Sequence, residues 1–417
     1  MPETAESYYD RQEVRSPAER EAALFHALPG LLRHALDNAP FYRTRFGDID
    51  PAAFTSREAL ARLPVLRKEE LPELQERDPP FGGLAATPFG RLGRVFASPG
   101  PIFEPQGNRA DYWRMARAMF AAGFRRGDLV HNTFAYHLTP AGFMIDSGAR
   151  ALRCPVFPGG TGQTELQLKA ISRLRPVAYA GTPSFLGILL ERAAETGLAP
   201  LSFRKALVSG EAFPPSLRDR LARDHAIDAY QCYATADAGL IAYESPAREG
   251  LIVDEAVLLE IVRPGGDEPL PEGEVGEVVV TVFNPDYPLI RFGTGDLSAV
   301  LPGPSPCGRT NLRIRGWMGR ADQTTKVRGM FVHPRQVHEI ARRFEAVVKA
   351  RLEVSEAEGR DRMVLRCETS EPADDGLRTA LAEAVRAVTG LRGEVELVPP
   401  GTLPNDGKVI DDQRRHG

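Results

Sequence analysis

From residue 95 to residue 210, short apolar runs alternate with helical segments, and this alternation restricts the chain more than any other feature. Val95-Phe96, Leu129-Val130-His131, Ala151–Phe157, Val177–Ala180 and Lys205–Val208 read as strands. Ala110–Ala122, Glu165–Leu174 and Ser184–Ala194 carry helical spacing between them. Strand and helix in alternation predict an α/β domain with a mainly parallel sheet. In such sheets, ligands gather in the loops beyond the C-terminal strand ends. Upstream, Ala23-Leu24, Leu28, Leu31-Leu32 and Leu36 recur at three and four residues over 16–38, with Ser16-Pro17 as cap and first turn.

Beyond residue 252 the pattern turns to β, with Ile252–Asp254, Val257–Val262 and Gly276–Phe283, and Pro264-Gly265-Gly266 and Pro271-Glu272-Gly273 mark turns between the last two. Past 320 the order strand 326–332, helix 334–346, strand 349–354, strand 362–368, helix 374–388, strand 393–398 suggests a small ferredoxin-like α+β domain. At 417 residues the chain exceeds one ordinary core. The expected division is a large N-terminal domain of several subdomains over 1–320, with parallel sheets and a β-rich portion, and a small domain over 321–417. Charge is nearly balanced, 52 Lys+Arg against 56 Asp+Glu, which argues against nucleic acid or an acidic membrane as the main partner. The four cysteines are dispersed without a CxxC pair, no apolar run reaches the roughly 18–20 residues of a membrane helix, and the N-terminus shows no secretory pattern. A cytoplasmic protein is expected.

Two signatures stand close together at 290–329. Pro288-Leu289-Ile290 reads as a strand leading into Arg291-Phe292-Gly293-Thr294-Gly295-Asp296, a glycine-punctuated turn that presents one carboxylate. Gly319-Arg320-Ala321-Asp322 then runs on to Lys326 and Gly329. A carboxylate near a guanidinium suits a ribose, because the acid accepts from two hydroxyls and arginine adds donors in a fixed fork. Taken singly, Asp296 is a turn-capping aspartate, Arg320 with Asp322 a surface pair, and Tyr233 a core residue.

With these motifs the chain resembles the adenylate-forming superfamily, and most of all its phenylacetate–CoA ligases. The phrases Asn38-Ala39-Pro40-Phe41-Tyr42-Arg43, Leu63-Pro64-Val65-Leu66-Arg67-Lys68-Glu69, Thr182-Pro183-Ser184, Gly210-Glu211-Ala212 and Cys307-Gly308-Arg309-Thr310 carry the likeness. The resemblance implies that a carboxylate attacks ATP to give acyl-AMP, from which the thiol of CoA then displaces AMP. It implies Asp296 and Arg320 at the ribose, Tyr233 stacked on adenine, and Ser98, Gly210, Glu211, Ala234 and Thr235 around the nucleotide. Asp237 would bind Mg²⁺, and Lys408 would bridge carboxylate and α-phosphate. Asp322 would be the hinge of a mobile C-terminal domain, and Lys326 and Gly329 would line the CoA side. The acyl pocket would lie among Phe134, Ala135, Tyr136, Gly159, Gly160 and Ala212, suiting a flat apolar acid. Partners are then a small carboxylic acid, ATP and CoA, with a homodimer as the expected assembly.

The chain departs from the family at the phosphate loop. Ser98-Pro99-Gly100-Pro101-Ile102-Phe103-Glu104-Pro105 stands where a hydroxyl-rich turn ends in a cation. Prolines remove amide donors, and Glu104 would repel a triphosphate. Zinc is not expected: Cys307 remains, but Ser245 and Ile252 occupy positions where relatives carry ligands. Alternatives to a CoA ligase are therefore an acyl-transfer or carrier-protein-loading enzyme with weakened ATP use, and a non-catalytic AMP- or acyl-binding homologue.

Overall fold

Parallel strands buried on both faces need continuous apolar runs, and the central segments supply them: Ala178–Gly181 is buried at every position, and Lys205–Val208 at all but its first. The computed structural model describes residues 7–99, 101–211, 213–321, 325–328, 330–332, 334–357, 360–370, 374–404 and 409–414. Chain contacts divide into two compact units, Met1–Met318 and Gly319–Gly417.

Within the first unit, nine described strands form one mixed sheet. Asp228–Thr235, Lys205–Val208, Ala178–Gly181, Val130–Asn132 and Val156–Pro158 run parallel. Gly239–Glu244, Leu251–Val253, Arg313–Ile314 and Val300–Leu301 extend the sheet antiparallel. Helices Ala141–Ala151, Thr164–Leu174, Pro183–Glu195 and Pro215–His225 connect the parallel strands. The first and last of these were not expected, because glycine and serine interrupt one apolar stripe and the other is mostly charged. The expected helix Ala110–Ala122 starts only at Met115, since Asp111 and Arg114 adopt left-handed backbone, with φ of +45° and +64°.

A second sheet of four described strands joins Leu66–Arg67, Leu289–Ser298, Gly276–Val282 and Val257–Val262. The N-terminal helix Pro17–Asn38 packs its Leu28 and Leu32 into the core shared with this sheet. Its start is fixed by a capping box: Ser16 Oγ accepts from Glu19 N at 3.2 Å, and Ser16 N donates to Glu19 Oε2 at 2.9 Å. No described helix is long and apolar enough to cross a membrane.

In the second unit, four described strands order as Glu394–Val398, Arg360–Thr369, Val347–Ala357 and Ile410–Asp412. Helices Pro334–Arg342 and Asp375–Thr389 precede Val347–Ala357 and Glu394–Val398. The expected opening strand over 326–332 instead divides into a hairpin, Thr325–Val327 with Met330–Val332. Ile410–Asp412 lies parallel to Val347–Ala357 as the sheet's fourth strand.

The expected turn at Arg291–Asp296 is a correction of substance. The strand runs unbroken from Leu289 to Ser298, and register shifts against Gly276–Val282 absorb the glycines. Arg291 does not face solvent. It has no exposed surface, binds Glu260 through Nε and Nη2 at 3.1 Å each, and donates to the carbonyls of Ala61 (2.9 Å), Asp267 (2.8 Å) and Leu63. Removing one partner of a buried ion pair strands the other charge, which costs about 3–5 kcal/mol. Arg291→Ala is expected to lower stability by about that amount, and Arg291→Met with Glu260→Leu by less; urea denaturation of both variants measures the difference.

Candidate active site

The strand Asp228–Thr235 ends beside Leu289–Ser298, and this brings together two residues separated by most of the intervening β-rich segment. Tyr233 donates its hydroxyl to Asp296 Oδ2 at 2.8 Å and lies 3.0 Å from Thr294 Oγ1. Thr294 in turn donates to the Val278 carbonyl at 3.0 Å, so the carboxylate is held from behind by a chain of hydroxyls. Trp317 Nε1 donates to the other oxygen, Oδ1, at 3.1 Å, although the indole is half exposed. Asp296 is thus fixed in orientation. Thr294 and Trp317 were not anticipated: neither residue type at its spacing marks a nucleotide site.

Thr235 ends the strand Asp228–Thr235, and Asp237 lies in the tight turn that leads to Gly239–Glu244. Thr235 Oγ1 accepts from Ala238 N at 3.0 Å, so its hydroxyl closes the turn. Asp237 is buried and accepts from Lys68 Nζ at 2.7 Å through Oδ2, while Oδ1 has no hydrogen-bond partner among the described residues. Lys68 lies 169 positions away, within a phrase quoted for its likeness but not linked to the site.

Ser98–Pro105 is no open loop. Arg94–Ser98 and Ile102–Gln106 pair as an antiparallel hairpin with Ser98 opposite Ile102. Alternation along this hairpin turns Phe103 outward and Ile102 and Glu104 inward. Gln75 clamps Phe103, with its Nε2 donating to the carbonyl and its Oε1 accepting from the amide, each at 2.8 Å. Glu104 Oε1 meets the Ser98 hydroxyl. Burial and the nearby Asp237 carboxylate push the Glu104 carboxyl up to about 8, partly opposed by Ser98 and Lys68.

On the acyl side, Asn132 organises the strand-end loop. Its Nδ2 donates to Tyr136 Oη at 2.7 Å and to the Gly142 carbonyl at 2.9 Å, and its Oδ1 accepts from Phe134 N at 3.2 Å. The Tyr136 ring meets Phe143 edge-on with centroids 5.2 Å apart. Phe134 faces the Gly210 turn, where a Cβ would lie 3.9 Å from Phe134 Cε1, and Gly210 takes φ +83°. Ala135 is half buried, and its carbonyl accepts from Gly142 N at 2.9 Å. At Gly159 a Cβ would come within 2.7 Å of Gln167 Oε1, so a larger residue there would have to displace the amide that braces this turn. Gly160 N donates to the Asn132 carbonyl at 3.0 Å. Glu211 Oε2 accepts from Ser184 N at 3.3 Å.

Near Cys307, Ser305 Oγ lies 3.1 Å and Arg309 Nη1 3.6 Å from the sulfur. Burial raises the thiol, but hydrogen bonds from Ser245, Ser305 and Arg309 outweigh it and hold the group below its ordinary value. Among the described residues, no group of three or more His, Cys, Asp or Glu side chains gathers as a metal site. Ala212, Asp322, Gly329 and Lys408 lie outside the described residues, and Lys326 is described by its backbone alone, in Thr325–Val327. Arg320 lies in the second unit, half buried.

The Lys68–Asp237 pair gives a direct test of the site's electrostatics. Lys68→Met is expected to cost about 3 kcal/mol by leaving a buried carboxylate uncompensated, and adding Asp237→Asn is expected to restore more than half of it. Denaturation midpoints of wild type, single and double variants measure this.

The family described as AMP-binding enzyme matches residues 137–282, a span that includes Gly210, Tyr233 and Asp237. The phenylacetate-coenzyme A ligase of Thermus thermophilus is 31% identical over 90% of this chain and 92% of its own length. That of Aromatoleum evansii is 30% identical over 89% of this chain and 87% of its own. Among solved structures, 2-hydroxyisobutyryl-CoA ligase in complex with 2-HIB-AMP and CoA superposes with a TM-score of 0.76 and 27% identity, covering 100% of this chain and 94% of that one. The chain therefore belongs to the phenylacetate–coenzyme A ligase family of AMP-binding enzymes.

Proposed function

We propose that the chain is an AMP-forming aryl-CoA ligase, which adenylates a phenylacetate-like carboxylic acid with ATP and transfers the acyl group to CoA. The observation that carries this is the joining of Tyr233 and Asp296 at one site, where Tyr233 and Trp317 fix the orientation of the carboxylate. Relatives that align over nine-tenths of the chain favour a CoA ligase over a carrier-loading or non-catalytic homologue.

In this reading Asp296 accepts the ribose hydroxyls, and the Tyr233 ring lies along adenine, with Gly210, Glu211, Ala234 and Thr235 bordering it. Phe134 supplies an aromatic wall across from the Gly210 turn; Ala135, Tyr136, Gly159, Gly160 and Ala212 complete the acyl pocket. Arg320 and Lys408 bring cations to the ribose and the α-phosphate, where positive charge stabilises the developing transfer. Rotation about Asp322 then exchanges Lys408 for the CoA side at Lys326 and Gly329. Residues 1–320 serve as the AMP- and acyl-binding domain and 321–417 as the mobile domain. Asp237, with Oδ1 unpartnered and buried, fits a Mg²⁺ ligand. Bound there, the ion would neutralise charge on the phosphate oxygens of ATP. The same reading puts the enzyme in the cytoplasm as a homodimer, which sedimentation of the purified chain tests.

The defining experiment mixes the protein with ATP, Mg²⁺ and a panel of aryl and aliphatic acids, 2-hydroxyisobutyrate included, and follows pyrophosphate release and then AMP on adding CoA. Release with phenylacetate-like acids is expected; release with none of the panel refutes the ligase reading, and release with the hydroxy acid alone refutes the aromatic one. Lys408→Ala is expected to lower acyl-AMP formation by at least about 100-fold, with far less effect on thioester formation from supplied acyl-AMP. Gly329→Leu is expected to do the reverse, and equal losses in both half-reactions would contradict the assigned roles.

A further inference from the structure

Helix Thr164–Leu174 buries Leu168 and Ile171 in the core, and beside them it buries an amide. Gln167 is 2% exposed. A buried amide must place two donors and an acceptor, and Gln167 places all three. Its Nε2 donates to the carbonyls of Gly160 at 2.9 Å and Gly162 at 2.6 Å. Both hydrogens are thus engaged, and Oε1 faces His131 Nε2 at 2.7 Å, so that ring nitrogen carries the proton. His131 is itself buried and stacked on Phe157 with ring centroids 5.2 Å apart; its Nδ1 has no hydrogen-bond partner among the described residues. Burial pushes the imidazole below its ordinary value, partly opposed by Gln167, and a neutral ring has one N–H to give the amide oxygen.

This bridge joins two neighbouring strand ends. His131 directly precedes Asn132, whose side chain ties Phe134 N, Tyr136 Oη and the Gly142 carbonyl. The glycine turn follows Val156–Pro158, the strand paired with Val130–Asn132. In that turn Gly160, Gly162 and Gln163 take φ of +66°, +69° and +53°. Glycine has little conformational preference of its own, so the shape of the turn comes from what grips it, and Gln167 grips two of its carbonyls. We infer that Gln167 is a positioning residue for the acid: it locks the glycine turn against the strand-end loop and so sets how large an acyl group the pocket admits. The inference rests on the ligase reading, in which both segments border the acyl group. None of these residues belongs to the hydrogen-bonded group of Tyr233, Thr294, Asp296 and Trp317, so the effect falls on the acid and not on the nucleotide. Methionine at 167 would fill the space, but it leaves two carbonyls and one N–H without partners, and the turn must shift to pair them again.

The test compares Gln167→Met with wild type in the full chain, by pyrophosphate release at varied acid and at varied ATP, and by amide hydrogen exchange. The KM for phenylacetate is expected to rise by about tenfold or more and that for ATP to change by less than about twofold, because a misplaced wall penalises the ligand it touches. Preference for phenylacetate over the branched 2-phenylpropanoate, taken as the ratio of kcat/KM values, is expected to fall. Exchange is expected to quicken over 158–163 and to match wild type over 289–298. An unchanged KM for the acid, or equal rises in both KM values, overturns the inference. Should thermal melting show that Gln167→Met does not fold, Gln167→Glu takes its place with the same expectations, since it keeps the acceptor for His131 but lacks the paired donors. A wild type that releases no pyrophosphate with any acid refutes the ligase reading; exchange over 158–163 then decides the brace by itself, and a variant that exchanges there as wild type does overturns it.

Discussion

A guanidinium with no exposed surface holds the β-rich part of the first unit together. Arg291 binds the Glu260 carboxylate and reaches carbonyls from two further segments, at Ala61 and Asp267. A buried cation must be matched by acceptors on every side, so its presence sets where those segments lie. It also sits five residues before Asp296 on the same strand. The strand that Arg291 anchors thus also carries Asp296, and the ion pair bears on the site through it.

The site has two sides of different character. Around Asp296 every polar group on view is engaged: Tyr233, Thr294 and Trp317 converge on one carboxylate and its support. Such a network rigidifies, because each hydrogen bond limits the rotamers of the next residue. Around Asp237 and Glu104 the opposite holds, since one oxygen of each has no hydrogen-bond partner among the described residues. The first side is organised before a ligand arrives, and the second keeps polar atoms unmatched.

Much of the architecture was legible in order. Lys205–Val208, Val257–Val262 and the helix from Ser16 follow from apolar period and capping chemistry, which are local. The signature at 290–329 marked Asp296 and the family resemblance marked Tyr233, and the fold brings the two together. What misled was glycine. Arg291–Asp296 reads as a turn because glycines usually mark one, yet bulged pairing with Gly276–Val282 accommodates them inside a strand. Ser98–Pro105 reads as a loop for its prolines, yet Pro105 sits in a two-stranded hairpin, where a proline can be tolerated.

The sequence by itself determined the α/β class and the parallel core, since these depend on periodicity within short windows. Only the tertiary structure decided that Lys68 answers Asp237 across 169 residues, that Trp317 holds Asp296, and that Glu104 turns inward beside a second carboxylate. Pairings of that kind arise from sheet register and the burial of charge, both set by segments distant in the chain. No local pattern records them, because the cost of leaving a charge unmatched appears only once the fold has removed it from water.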